Sequence, residues 1–181
     1  SAEWGRAAVY AIDVGEEEGL DGAKGSSGFR PGDPAFEESA TGARILDLHE
    51  SIKGGSRRED LVEHVEPPLD RAVREYSRGN VRKLGLVQAF MHDPDLAILD
   101  EPTSGLDPLL QREFNEFVRA ERETGTTVFM SSHVLSEVRR VCDRVGIIRD
   151  GRLVAVERVA DLLDRGGKVV RLRAAVQQVR D

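Results

Sequence analysis

The twelve residues from Leu96 to Asp107, Leu-Ala-Ile-Leu-Asp-Glu-Pro-Thr-Ser-Gly-Leu-Asp, restrict the possible folds more than any other stretch of the chain. Four apolar residues, Leu96 to Leu99, stand between Asp93-Pro94 and Glu101-Pro102. The run is too short for a helix of its own and is bounded by turn signals, which predicts a short strand. Being apolar at every position, it suits a parallel sheet covered on both faces, and so an α/β fold. Two carboxylates, Asp100 and Glu101, follow at its C-terminal end, where open α/β sheets place their ligands. Successive side chains leave a strand on opposite sides, so the two acids can do different work. One can hold a hard cation while the other orients a water. A lone apolar run ending in Asp-Glu is commonly just a strand entering an acidic turn; here two further stretches argue for more.

Upstream lies Tyr76-Ser77-Arg78-Gly79-Asn80, which feeds a helix predicted over 81–92. A small hydroxyl, a glycine that lets the backbone approach closely, and the positive end of a helix dipole together make an anion site. Taken alone, Ser-x-Gly is mostly a helix cap. Downstream, the β-branched and apolar run Thr126 to Ser131 predicts a second buried strand. His133 follows it, at the same C-terminal edge as Asp100 and Glu101. Histidines His49, His64 and His92 have no comparable setting and are expected to pack or to lie on the surface.

Carboxylate strand, Ser-x-Gly loop and post-strand histidine, in this order and spacing, resemble the ABC-type ATPases, the nucleotide-binding subunits of ABC transporters. The resemblance covers roughly residues 8 to 163. It implies a P-loop NTPase-like α/β fold of the ABC type, with a mostly parallel core sheet and a helical subdomain, incomplete at the N-terminus. Asp100 corresponds to the Walker B carboxylate that holds Mg2+, and Glu101 to the catalytic glutamate that polarises the attacking water. Asp107 belongs to the D-loop, which links the two nucleotide sites of a dimer. His133 is similar to the switch histidine that contacts the γ-phosphate. Ser77, Arg78, Gly79 and Asn80 resemble the signature loop, which covers the γ-phosphate of ATP bound to the opposite subunit. Ser77 and Gly79 keep the family identities, whereas Tyr76, Arg78 and Asn80 depart from LSGGQ. Arg78 in place of glycine resembles the branch that exports drugs, polymers and lipids.

Around these motifs the chain divides into residues 1–35, a residual N-terminal strand, loop and degenerate Q-loop; 36–92, a helical subdomain carrying the signature loop; 93–165, the Walker B, D-loop and switch-histidine core; and a tail, 166–181. In the first part, residues 7 to 14 predict a short strand and 15 to 28 a loop. Gly32 stands where the family's Q-loop glutamine would be, and Asp33 is a speculative stand-in. In the second, Ile45, Leu46, Leu48 and Ile52 recur at helical spacing over 43–53. A short helix over 57–65 ends before Pro67-Pro68. In the third, Asp107 and Pro108 are a favourable cap and first residue for a helix reaching about Glu123. Strands over 144–149 and 152–156 flank the two-residue turn Asp150-Gly151, and a helix over 159–163 follows. Cys142 falls on an apolar helical stripe with Val138 and Val141 and is expected to pack in the core. The tail alternates weakly from Val169 to Leu172, as the start of an accessory element.

Nowhere in the 181 residues is there a G-x-x-x-x-G-K-[ST] loop, the element whose backbone N–H groups and lysine cradle the β- and γ-phosphates. Residues 9 to 14 instead resemble the strand that follows it in the family. The resemblance therefore implies an ATP-binding and ATP-hydrolysing subunit of an ABC exporter, shortened and poorly active alone. Its cofactors are ATP and Mg2+. Its partners are a second ATPase subunit, in a homo- or heterodimer, and a membrane permease, so that it sits in the cytoplasm on the inner face of the membrane. The alternative is a non-catalytic subunit that lends its signature loop to an intact one; a non-transport ABC ATPase is a third reading. A net charge of −7 argues against a nucleic-acid partner, and no apolar run approaches the roughly 18 residues of a membrane span.

Overall fold

The computed structural model describes residues 8–9, 12–13, 27–32 and 34–164. Its elements in chain order are β1 (Ala8–Val9), β2 (Ile12–Asp13), β3 (Ser27–Arg30), α1 (Gly42–Lys53), α2 (Arg58–Val65), a 3-10 turn (Val73–Glu75), α3 (Arg78–Phe90) and β4 (Leu96–Leu99). These are followed by α4 (Pro108–Thr124), β5 (Thr127–Met130), α5 (Leu135–Val141), β6 (Arg144–Arg149), β7 (Arg152–Arg158) and α6 (Val159–Asp164). The fold is α/β: β3, β4 and β5 form a parallel sheet with β4 in the middle, and β6 and β7 form an antiparallel hairpin.

Local chemistry accounts for most of the boundaries. The Thr41 hydroxyl accepts from Arg44 N to open α1, and Gly54 closes it. Glu66, in the left-handed region at φ 52°, ends α2 immediately before Pro67-Pro68. Asp107 caps α4 with Pro108 in its first turn. Asp150 and Gly151, at φ 50° and 72°, give the β6–β7 hairpin the paired positive φ values that match strand twist.

The core lies on one side of the sheet. Gly28, Arg30, Ala97 and Leu99 are buried on that face. They pack over α3, whose Leu84, Val87, Ala89 and Phe90 are nearly inaccessible to solvent. Strand and helix meet so closely that a Cβ on Gly28 would lie 2.0 Å from the Ala89 carbonyl oxygen. Phe90 meets Phe117 of α4 edge to face at 5.0 Å between ring centres. A bidentate ion pair joins the helical part to α4: Arg57 donates to both oxygens of Glu121 at 2.6 and 2.7 Å, and Glu121 is only 3% exposed.

Several expectations need correction. Residues 7–14 do not run on as one strand, because β1 and β2 pair antiparallel with each other. Ser27 and Gly28 belong to β3 rather than to a loop, since the neighbouring β4 supplies the hydrogen-bonding partner that local composition does not reveal. The strand predicted over 126–131 runs Thr127–Met130 and is not buried, although Thr126 before it is. Phe129 is 67% exposed and Phe29 59%, and with half-buried Ile98 between them they form a row across the second face of the sheet. β5 has a sheet partner on one side only among the described residues. Leu48 and Ile52 are exposed although Ile45 and Leu46 of the same helix are buried, because the core contact of α1 is narrower than its apolar stripe. Helix α3 begins at Arg78 rather than Val81, Ser77 being its cap. Cys142 is half-buried just past the end of α5, in extended backbone rather than on the helix. Asp33 and the tail lie outside the described residues.

His49 and His92 pack together, with ring centres 5.5 Å apart. His92 Nε2 donates to the Ser27 carbonyl at 3.1 Å, alongside Lys53 Nζ at 2.9 Å, tying α1 and the end of α3 to β3. Burial first, and then the positive neighbours His92 and Lys53, pull the His49 imidazole down to about 4. Burial likewise lowers His92. The unfolded chain takes up these protons as pH falls through about 6.5, whereas the folded chain resists. Stability is therefore full above about 6.5 and is lost as pH falls from there toward 4. The melting temperature should fall between pH 7 and pH 5, and His49→Gln should make that fall smaller; calorimetric scans at the two pH values check this. Breaking the buried ion pair by Arg57→Ala should cost about 3 kcal/mol in urea unfolding, because the Glu121 carboxylate keeps its burial and loses its partner.

Candidate functional site

Parallel pairing brings the C-terminal ends of β4 and β5 side by side. Leu99 lies opposite Met130, and the ladder continues one step further, with Ser131 N donating to the Leu99 carbonyl at 3.0 Å. On the other side Asp100 N donates to the Arg30 carbonyl at 2.9 Å. Asp100 and Ser131 thus emerge next to each other from strands more than thirty residues apart in sequence. The Ser131 hydroxyl donates to Asp100 Oδ1 at 2.7 Å and accepts from Glu101 N at 2.8 Å. One hydroxyl fixes both the carboxylate of the first acid and the backbone of the second.

Glu101 sits at φ 42°, a left-handed backbone that a residue with a side chain adopts at a cost. Its conformation is held from three directions. Besides the Ser131 contact, its carbonyl accepts from Ser104 N at 3.1 Å, and its Oε2 meets His133 Nδ1 at 2.7 Å. A carboxylate oxygen only accepts, so Nδ1 carries the proton in this pair and Nε2 faces outward. The side chain of His133 is 57% exposed and that of Glu101 24%, which leaves the pair reachable by solvent and by a ligand. The structure therefore unites Asp100, Glu101 and His133 in one group. Gly32, in the chain beyond β3, borders the same group: a Cβ there would lie 3.2 Å from the Asp100 carbonyl oxygen and 3.4 Å from Oδ2.

Ser77, Arg78, Gly79 and Asn80 form a second group. The Ser77 hydroxyl accepts from Asn80 N at 3.2 Å and caps α3, with Arg78, Gly79 and Asn80 in the first helical turn. This helix mouth adjoins the start of α4, since a Cβ on Gly79 would meet Leu110 Cδ1 at 3.6 Å. Asp107 lies at that junction, with its Oδ1 accepting from Leu109 N and Leu110 N, both at 3.0 Å. Among the described residues, no hydrogen bond or ion pair links Ser77 to Asn80 with the Asp100 group.

Three contributors were not visible in the sequence reading. Ser131 reads in the sequence only as the last residue of a strand, yet it carries the two contacts that orient both acids. Thr103 and Glu137 are buried behind the group and hydrogen-bonded to each other at 2.6 Å. The β4–β5 register is the signal that exposes Ser131, because residues one step past paired strand ends become neighbours.

Asp100 offers hard oxygen donors: Oδ1 takes the Ser131 hydroxyl, while Oδ2 lies near Gly32. Among the described residues no group of three or more His, Cys, Asp or Glu side chains could cage a metal. A single carboxylate suits a cation that keeps several waters and leans on substrate phosphates, as Mg2+ does.

Known proteins resemble this chain in sequence and in fold. Residues 21–138 match the family described as "AAA domain, putative AbiEii toxin, Type IV TA system". The chain is similar to the bacitracin transport ATP-binding protein BcrA of Enterococcus faecalis, at 35% identity over 141 residues, 75% of this chain and 46% of that protein. It is also similar to the linearmycin resistance ATP-binding protein LnrL of Bacillus subtilis, at 41% identity over 95 residues, 52% of this chain and 30% of that protein. A solved structure of an ATP-binding subunit of an ABC transporter superposes with a TM-score of 0.76 at 25% identity, covering 87% of this chain and 68% of that one. The chain spans about half the length of the bacitracin transport relative and of two other curated relatives it matches.

The backbone strain at Glu101 can be read apart from its side chain. Glu101→Gly and Glu101→Ala both remove the carboxylate, but only glycine tolerates a φ of 42° without cost. The glycine variant should be the more stable of the two by about 1 kcal/mol in denaturant melts.

Proposed function

The chain belongs to the ABC-type ATPases, the family of the ATP-binding subunits of ABC transporters, and from that premise we propose that it serves Mg-ATP hydrolysis in an export transporter. The observation that carries this reading is the 2.7 Å hydrogen bond between His133 and Glu101, set beside the Ser131-braced Asp100 at one sheet edge. Mg2+, when bound, would sit on Asp100 and neutralise charge on the phosphates. Glu101 uses Oε2 for His133 and keeps Oε1 to accept a hydrogen from the attacking water. His133 holds that carboxylate in place and presents Nε2 toward the terminal phosphate. Phosphoryl transfer needs positioning and charge stabilisation above all, which is what these fixed groups supply.

Ser77, Gly79 and the α3 helix mouth act on the nucleotide of a second ATPase subunit, with Arg78 and Asn80 at the rim and Asp107 at the junction between the two sites. A membrane permease is the other partner, and the subunit is peripheral to the cytoplasmic face. No helix among the described residues is long and apolar enough to cross a membrane. The names of the bacitracin and linearmycin relatives support export as the direction. In the alternative reading the chain lends its signature loop to an intact subunit, and Ser77 capping the α3 helix mouth is the feature it would use.

One set of measurements separates the two. Alone, the 181-residue chain should bind Mg-ATP with a dissociation constant weaker than about 100 μM by calorimetry, for want of the phosphate-cradling loop. Micromolar binding would overturn the half-site view. Mixed with an intact ABC ATP-binding subunit, the chain should raise hydrolysis. If it acts as a catalytic subunit, Glu101→Gln should cut that gain about a hundredfold. If it only lends the loop, Glu101→Gln should leave the gain unchanged while Gly79→Asp removes it. No gain with the wild-type chain would defeat both readings.

A further inference from the structure

Glu137 has no part in the function proposed above, yet its placement is costly. The residue is 6% exposed, in the first turn of α5, and its Oε2 alone accepts from two hydroxyls: Thr103 Oγ1 at 2.6 Å and Ser132 Oγ at 2.9 Å. Ser132 Oγ in turn accepts from Val134 N at 3.0 Å. Thr103 is itself 2% exposed. Burying a carboxylate against hydroxyls is unfavourable relative to an apolar side chain of the same size, unless those hydrogen bonds are wanted.

What the bonds join is informative. Thr103 is two residues past Glu101, and Ser132 is one residue before His133. The two loops belong to different strands, and past Ser131, whose amide and hydroxyl make the last contacts to the β4 end, no ladder hydrogen bond keeps them in step. Glu101 also holds a left-handed φ, so its loop needs outside restraint. We propose that Glu137 is a positioning residue: by gripping Thr103 and Ser132 with one oxygen, it sets the distance between the two loops and so holds Glu101 and His133 in hydrogen-bond contact. The inference rests on the hydrolytic reading only for its consequence in catalysis; the geometric claim stands separately. Charge is not what the role requires. Both hydroxyls use the same acceptor atom, so an amide oxygen at that point would serve.

The direct test is nitrogen-15 NMR of the histidine rings in the 181-residue chain, which has four histidines, with the His133 signals assigned by His133→Gln. In Glu137→Leu and in the near-isosteric Thr103→Val, the His133 Nδ1 signal should move to the position of a ring hydrogen-bonded only to water, while those of His49, His64 and His92 stay in place. Glu137→Gln should keep the wild-type His133 signal. If Glu137→Leu does not fold, Thr103→Val decides. An unmoved His133 signal in the folded variants, or all four histidines moving together with a lowered melting temperature, would overturn the proposal. In a mixture that hydrolyses Mg-ATP, Glu137→Leu should lower kcat about tenfold with KM changed by less than about twofold, and Glu137→Gln should restore kcat. A wild-type mixture that hydrolyses nothing would defeat the hydrolytic reading, while the ring signals would still decide the positioning role.

Discussion

The site depends on one constraint, the register in which β4 lies beside β5. Leu99 opposite Met130 means that Asp100 and Ser131 leave the sheet as neighbours, and from that adjacency follow the hydroxyl bridge, the held backbone of Glu101 and the reach of His133. A slip of one residue would send Ser131 to the opposite face and carry the histidine out of range. The register is in turn specified by burial. Ala97 and Leu99 point into the core over α3, and shifting them would exchange buried side chains for half-exposed ones.

Support for that edge comes from beneath and behind. From below, β3 lies against α3 at a distance only glycine permits, so the strand cannot rise without opening the core. Farther out, the Arg57–Glu121 pair fastens α4 to the helical part, and α4 begins where the Pro-Thr-Ser-Gly loop ends. From behind, the hydroxyls of Thr103 and Ser132 converge on Glu137. Within that support Glu101, with its strained backbone, is held directly by Ser131, Ser104 and His133. A carboxylate fixed in this manner loses little further freedom when a ligand arrives, which is how preorganised sites gain rate.

Much of this was legible from residue order. Leu96 to Leu99 between two prolines reads as a strand and is one; Asp107-Pro108 reads as a cap and opens α4 as expected; Asp150-Gly151 reads as a tight hairpin turn and takes the φ values such a turn needs. Each is a local rule, carried by neighbours in the chain. The readings that failed depend on distant parts of the molecule. Exposure of Phe129 reflects what lies across the sheet rather than the composition of its strand. Ser27 became a strand residue because β4 is beside it, and Leu48 was left in water because α1 meets the core along a narrow line. At the site, the two acids and the histidine could be named from their motifs. Ser131, Thr103 and Glu137 could not be given roles, since their roles exist only once three loops are folded against one another.

The Asp107 carboxylate has a consequence for what the start of α4 can offer to a ligand or a neighbour. One of its oxygens already terminates α4 by receiving two amides. Both amides use the same oxygen, so the second oxygen can receive an outside donor while the first turn of the seventeen-residue helix keeps its cap. That turn also lies against the mouth of α3, where Leu110 sits beside Gly79, so the cap on one helix and the opening of the other share one small region.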